Sequence, residues 1–265
     1  MTTAIIGAGV MGETLLSGLL RAGVPKSELL IADRRIERSA EVTKEHGVAN
    51  GTNQEVSAKA DTVVLVVKPQ DMAIVLDEIK DSLRPGTLVV SLAAGITTGF
   101  MEDLLPAKTP VIRVMPNTPA LVDQGMAAIS SGTNSTDEHL VTVETLLRSV
   151  GQVVRVPEKY QDAVTAISGS GPAYIFYVVE AMIEGGVMLG LPRDVANELV
   201  LQTVYGAATM LRETNEHPTV LREQVTSPGG TTVAALRQFD DFKVRAAFLS
   251  AMEAARDRSR ELGQQ

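Results

Sequence analysis

The sequence predicts an α/β protein in two parts, an amino-terminal half built on a mainly parallel sheet and a carboxy-terminal half made only of helices. Three observations lead there. Short β-branched runs alternate with helical apolar patterns as far as about residue 156, the strand signal then stops, and a glycine-rich turn joins the first strand to the first helix. Alternation of this kind marks strand-helix-strand units. At 265 residues the chain is long enough for two domains of about 100 to 200 residues, placed here at 1–156 and 157–265.

The first strand is "TAII", and it runs into "GAGVMG", which holds Gly7, Gly9 and Gly12 in the G-x-G-x-x-G spacing. Gly7 allows the tight turn, Gly9 lets the backbone approach a pyrophosphate, and Gly12 lets helix and strand pack closely. The helix then aims its first N–H groups at the phosphates. Leu15, Leu16, Leu19 and Leu20 share one face of that helix, and Gly23 stands where it should end. With strand, loop and helix in this order, the first half is a Rossmann-type dinucleotide-binding domain.

The second strand, "LLIA", leads to Asp33, about 20 residues past Gly12, where an acidic residue would hold the adenosine ribose. Arg34 and Arg35 follow, and a guanidinium there suits a 2′-phosphate. The alternative for Asp33 is to turn outward as a helix N-cap, leaving the arginines to bind the phosphate. The expected cofactor is NADPH, with NADH as the alternative.

The third long strand, "TVVLVV", ends in Val67, Lys68 and Pro69 at the carboxyl edge of the sheet, where such folds bind ligands. "TLVVSL" is followed by Ala93. "PVIRVM" leads into Pro116 and Asn117, where Pro116 and Pro119 are expected to stiffen a turn that exposes the Asn117 amide. "GMAAIS" and "QVVRV" complete the sheet. The expected cofactor contacts are thus Gly7, Gly9, Val10, Met11, Gly12, Asp33, Arg34, Arg35, Val67, Lys68, Pro69, Ala93, Pro116 and Asn117.

In the second half the apolar spacing predicts helices over 158–167, 173–189, 193–212, 217–225, 231–239 and 242–262. Within "AYIFYVVEAMIEGGVML" the only charges are Glu180 and Glu184, on one face, so that helix should be buried nearly all round. A second subunit would cover it most simply, which implies at least a dimer; the alternative is the central helix of a monomeric bundle. "SGSGPAY" and "SPGGTT" are two glycine-rich corners ahead of helices. In the second, Gly229 and Gly230 free the backbone before a helix whose unpaired N–H groups suit a carboxylate, and Thr231 or Thr232 adds a hydroxyl. A capped interhelical turn is the plainer alternative for it, and a tight helix connection for "SGSGP".

Composition narrows the chemistry. The formal charge of −8, without a basic run carrying interleaved aromatics, argues against nucleic acid as a partner. The absence of cysteine removes thiolate catalysis and Cys-based metal sites and suits a cytoplasmic protein. His46, His139 and His217 are far apart in sequence, and no metal site is expected from them. His46 should close a helix and His217 should begin one. No uninterrupted apolar run reaches the ~18 residues of a membrane span, so no membrane is expected as a partner.

Taken in order, "IIGAGVMG", "VVKPQ", "MPNTPA", "ISGSGPAYIF" and "VTSPGGTT" resemble the pyrroline-5-carboxylate reductase family over nearly the whole chain. The resemblance implies reduction of 1-pyrroline-5-carboxylate to L-proline by hydride transfer, the last step of proline biosynthesis. It also implies a helical domain for substrate binding and dimerisation, and dimers that in many members build decamers. By resemblance, the backbone around Ser227, Gly229, Gly230 and Thr231 holds the substrate carboxylate, and Thr232, the one catalytic residue expected, hydrogen-bonds the ring nitrogen. Two other functions fit the same plan: a hydroxyacid or ketoacid reductase, and a nucleotide-binding sensor without turnover. The first generally needs a Lys or His donor, and Lys159 and Lys243 sit in charged contexts away from the glycine-rich motifs.

Overall fold

A computed structural model describes residues 1–263. The chain divides into two compact units, one formed by Met1–Ser170 with the chain from Ala255 onward, the other by Gly171–Ala254.

The first unit is built on eight strands: β1 (Thr3–Ile6), β2 (Leu29–Ala32), β3 (Ala49–Asn50), β4 (Thr62–Leu65), β5 (Leu88–Ser91), β6 (Val111–Met115), β7 (Gly125–Ser131) and β8 (Gly151–Arg155). Their order is β3-β2-β1-β4-β5-β6-β7-β8. Every neighbouring pair is parallel except β6 and β7. From β1 the chain builds outward to β3, then returns to β4 on the other side. The reversal leaves a crevice beyond the carboxyl ends of β1 and β4, where such sheets take ligands. In the register Ile6 lies beside Leu65, so Gly7 and Val66 leave the sheet together. The two-residue β3 is too short to show in the apolar pattern.

Helices α1 (Val10–Arg21), α2 (Ile36–His46), α3 (Asn53–Ser57), α4 (Met72–Ile79), α5 (Thr98–Leu104) and α6 (Asp137–Leu147) cover the sheet. Because successive side chains on a strand face opposite sides, two cores form. Ile5 packs with Leu15, Leu16 and Leu19 of α1, Val42 of α2 and Val143, Leu146 and Leu147 of α6. Ala4 and Ile6 pack with Val56 of α3, Val75, Leu76 and Ile79 of α4 and Met101 of α5. Burial on both faces accounts for unbroken apolar strands such as "TAII" and "TVVL". Gly23, at φ +89°, follows the end of α1 as expected, and the Val24 N–H turns back to Leu19.

The first unit continues past β8 into α7 (Gln161–Val164), whereas the change in sequence grammar falls at 156. Gln161 accounts for the extension: it is wholly buried, and its amide donates to Ser130 Oγ at 2.8 Å. The chain from Ala255 rejoins this unit, where Ser259 Oγ donates to Asp162 at 2.8 Å. The tight helix connection expected at Ser168–Gly171 narrows to one residue, Ser170, between two helical segments. Thr165–Gly169 forms a π-helical turn, closed by the Ser170 N–H on Thr165 O at 2.8 Å, so the chain remains helical there. A Cβ on Gly169 would press on the terminal methyl of Met115, which would have to move aside.

The second unit holds α8 (Gly171–Met188), α9 (Arg193–Thr214), α10 (Pro218–Gln224), α11 (Thr231–Asp241) and the start of α12 (Val244–Leu262). The expectation that α8 is buried nearly all round is not met within one chain. None of its residues is buried, and Phe176 and Tyr177 stand 66% and 75% exposed. The run Glu158–Met188 is long and apolar enough by length and composition to cross a membrane, even though Glu180 and Glu184 interrupt it. The reading from uninterrupted apolar runs did not register that segment.

Candidate functional site

The crevice of the first unit is floored by the glycine loop. Gly7 takes φ +109°, and a Cβ there would collide with the Val66 carbonyl. A Cβ on Gly12 would collide with Gly7 O, so this glycine is dictated by the approach of loop and helix. Gly9 differs: a Cβ would meet nothing within 4 Å. The space beside it is therefore open to a ligand. Gly9 is also the N-cap of α1 and offers no side chain to the first-turn N–H groups, including those of Val10 and Met11. An uncapped helix start beside a glycine-lined opening fits a pyrophosphate.

Next to the loop lies a cavity of about 260 Å³ lined by Gly7, Gly9, Asp33, Arg34, Arg35, Asn53, Val67, Lys68 and Asp71, among others. Asp33 is 8% exposed at its side chain. One of its oxygens accepts the Ala8 N–H at 2.8 Å, and the other accepts the Arg35 N–H at 2.9 Å and Arg35 Nε at 3.2 Å. The outward N-cap considered for Asp33 is corrected, because Arg35 is the N-cap of α2 and the Asp33 carboxylate turns in toward the loop. Burial opposes its charge, but the hydrogen bonds from Arg35 and Ala8 outweigh that and hold its pKa below the ordinary aspartate value. Arg34 is 75% exposed, with one long contact of 3.3 Å to Asp71. It remains able to reach into the cavity.

Beyond β4, Val67 and Lys68 line the same cavity, and Pro69 opens a short 3-10 turn to Asp71. Ala93 is buried past the end of β5, its N–H donating to Ser91 Oγ at 3.2 Å. The expected exposure of the Asn117 amide is corrected. Its Oδ1 accepts the Met126 N–H at 2.7 Å, and its Nδ2 donates to Ser168 O and Oγ at 3.2 and 3.3 Å. This amide is used to brace the start of β7 against the π turn. Pro116 and Asn117 border a small gap beside Met11 and Leu15.

The corner at 227–232 lies in the second unit. Gly230 N–H closes a turn on Ser227 O at 3.0 Å, Gly229 takes φ +68°, and a Cβ on Gly230 would strike Ser227 Oγ. Gly230 is the N-cap of α11, with no side-chain hydrogen bond to the first turn. Ser227, Gly229 and Thr231 are exposed, and Thr232 is half-buried. The plainer alternative, an interhelical turn, is met by Gly230 as the N-cap, but no side chain caps the first N–H groups of α11. Since the Gly230 N–H is already bonded, an anion would be met by the residues that follow it.

The histidines serve the fold. His46 ends α2 just before Gly47, His139 Nδ1 accepts the Thr136 N–H at 3.0 Å in a capping box, and His217 caps α10. Side-chain ligand atoms of Glu13, Glu45 and His46 do approach within 4.8 Å of one another, a grouping that the sequence separation concealed. Arg38 already pairs with Glu13 and supplies the cation there. Sequence reasoning also missed Asn53 and Asp71 on the cavity wall; both sit at or beside helix starts, with no local pattern to mark them.

Residues 158–262 match the family model for pyrroline-5-carboxylate reductase dimerisation, and residues 2–95 match that for coenzyme F420-dependent NADP oxidoreductases. Pyrroline-5-carboxylate reductase of Corynebacterium melassecola is 46% identical, covering 99% of this chain and 98% of its own. The enzyme of that name from Mycobacterium tuberculosis is 41% identical, over 98% of this chain and 96% of its own. Among solved structures, a pyrroline-5-carboxylate reductase from Coxiella burnetii superposes with a TM-score of 0.94 at 36% identity, covering 98% of both chains. A Plasmodium falciparum pyrroline carboxylate reductase with NADP bound gives 0.87 at 29% identity, covering 99% of this chain and 98% of its own.

Proposed function

The chain belongs to the pyrroline-5-carboxylate reductase family, and from that premise we propose how its residues divide the work. It is an NAD(P)H-dependent oxidoreductase that reduces 1-pyrroline-5-carboxylate to L-proline in proline biosynthesis. The cofactor's task falls to residues 1–156, and substrate binding and dimerisation to residues 157–265.

Gly7, Gly9, Val10, Met11 and Gly12 hold the pyrophosphate, with Val67, Lys68, Pro69, Ala93, Pro116 and Asn117 along the same edge through backbone and apolar contact. NADPH is the preferred form, with NADH second. The support is chemical: Asp33 is occupied by Ala8 and Arg35, so it repels a 2′-phosphate less than a free carboxylate would, while Arg34 is exposed beside it. When bound, the cofactor supplies the hydride.

The single observation that carries the substrate assignment is the uncapped start of α11 behind the exposed Gly229 turn. The helix dipole adds only about 0.3 to 1 kcal/mol for an anion, so aligned N–H donors must supply most of the binding. Ser227, Gly229, Gly230 and Thr231 shape this receptor for the carboxylate. Thr232 orients the ring nitrogen. A protonated cyclic imine is already an electrophile, and addition of one hydride to its C=N carbon yields the secondary amine of proline with no further proton. Thr232 therefore need not act as a strong acid, and positioning is the main contribution of the protein.

The exposed apolar face of α8, inside the stretch matched as a dimerisation region, is covered by a second copy in a homodimer, and dimers assemble into a homodecamer. A chain without cysteine suits a cytoplasmic enzyme. The test follows NADPH and NADH oxidation with pyrroline-5-carboxylate and with simple 2-keto and 3-keto acids. Turnover with the cyclic imine alone is expected. Turnover of ketoacids only, or cofactor binding without turnover, would overturn the proposal.

A further inference from the structure

Ala8, between the first two glycines of the loop, is fully buried, and both of its backbone groups are held by charged side chains from elsewhere in the chain. Its N–H donates to Asp33 Oδ2 at 2.8 Å. Its carbonyl accepts Arg38 Nε, also at 2.8 Å. Arg38 lies near the start of α2, and the rest of its guanidinium is committed as well. Nη2 pairs with Glu13 in the first turn of α1, and Nη1 lies 3.3 Å from Glu41. The other Glu13 oxygen is 3.3 Å from His46 Nε2. The Arg38 and Glu13 side chains are each only 25% exposed.

Peptide planarity gives this clamp its meaning. In a trans peptide the C=O and the following N–H point in opposite directions. Holding the Ala8 carbonyl therefore aims the Gly9 N–H away from Arg38, and a Cβ on the same residue would meet nothing within 4 Å. Holding the Ala8 N–H likewise turns the Gly7 carbonyl toward α1, where only a glycine at position 12 leaves it room. Two successive peptide planes are thus set by one carboxylate and one guanidinium. Arg38 also offsets the charge of Glu13 in the first turn of α1.

We propose that Arg38 is a positioning residue for the dinucleotide: it fixes the Ala8–Gly9 peptide so that the loop presents its donors to the pyrophosphate, without itself touching the cofactor. The inference rests on the glycine loop being the cofactor site. Arg84 supplies a matched control, since its guanidinium also bridges a backbone carbonyl, Lys59 O at 3.1 Å, and a carboxylate, Asp61 at 2.7 Å, away from the loop.

The experiment measures NADPH affinity by nicotinamide fluorescence, and steady-state constants, for the wild type, Arg38→Ala, Arg38→Lys and Arg84→Ala. Losing a charge-assisted hydrogen bond corresponds to roughly tenfold or more, so Arg38→Ala should weaken NADPH by about that factor. At saturating NADPH, kcat and the KM for pyrroline-5-carboxylate should stay within about twofold, the scale of a neutral change. Arg38→Lys, which can hold one partner but not both, should fall between, and Arg84→Ala should bind NADPH as the wild type does. Equal NADPH affinity in Arg38→Ala and Arg84→Ala would overturn the proposal. If Arg38→Ala does not fold, an Arg38→Lys protein with wild-type NADPH affinity would overturn it. A wild type that fails to bind NADPH would remove the cofactor reading beneath it, and the inference with it.

Discussion

Arg113 Nη1 in β6 lies 3.2 Å from Glu158 Oε1, and the arginine side chain is 6% exposed. The same carboxylate accepts the N–H of Thr98 at 2.8 Å and its hydroxyl at 2.6 Å, so one side chain ties the start of α5 to the sheet and to the segment ahead of α7. Removing one member of a buried pair costs about 3 to 5 kcal/mol, less where a partner reaches solvent as Glu158 does. Glu158→Gln, which leaves Arg113 buried without a counter-charge, should therefore destabilise by about 2 to 3 kcal/mol. Arg113→Met in the Glu158→Gln background should recover part of that loss. Urea unfolding of the wild type, Glu158→Gln, Arg113→Met and the double variant measures the coupling, and additive single changes would show that the pair contributes nothing.

Gly9 and Gly12 are expected to separate folding from binding. Gly12→Ala places a methyl against Gly7 O, and overpacking of this kind costs about 1 to 3 kcal/mol or more. Gly9→Ala meets no protein atom, so its unfolding midpoint should match the wild type while NADPH affinity falls by at least about tenfold, or 1.4 kcal/mol. A Gly9→Ala protein that binds NADPH normally would place the pyrophosphate elsewhere.

Arg34→Ala should weaken NADPH by about tenfold, the loss of a charged contact to phosphate, and leave NADH affinity unchanged. Titration with both cofactors decides it. Parallel losses would mean that Arg34 acts on the loop and not on the 2′-phosphate.

Thr232→Ala removes one hydrogen bond to the charged ring nitrogen and should lower turnover by about tenfold or more with NADPH affinity intact. Steady-state kinetics alongside cofactor titration separates the two effects. An equal loss of cofactor affinity would show Thr232 to be misplaced in the scheme.

The features legible in the sequence depend on near neighbours in the chain. The strands "TAII" and "LLIA", the loop at Gly7, Gly9 and Gly12, and the helix begun at Thr231 each carry their reason within a few residues. Features that depend on distant approach were hidden. The Asn117 amide is engaged because Ser168 arrives from a separate element, and the Asp33 carboxylate turns inward because the Ala8 N–H is waiting there. Arg38 looks like an ordinary charge on a solvated helix until Ala8 O is found beside it. The π turn at 165–169 escaped because the glycines at 169 and 171 signal freedom of the backbone but not which hydrogen-bond ladder will use it.

The bond from Ser259 to Asp162 has a consequence for how the molecule is made. Every residue of the second unit is translated between these two partners, so the nucleotide-binding sheet leaves the ribosome before its last clasp exists. Its synthesis finishes only after the helices that follow it have also been produced. Ribosome-bound chains stalled before residue 255 should therefore carry a looser first unit than released ones, however complete their strands already are.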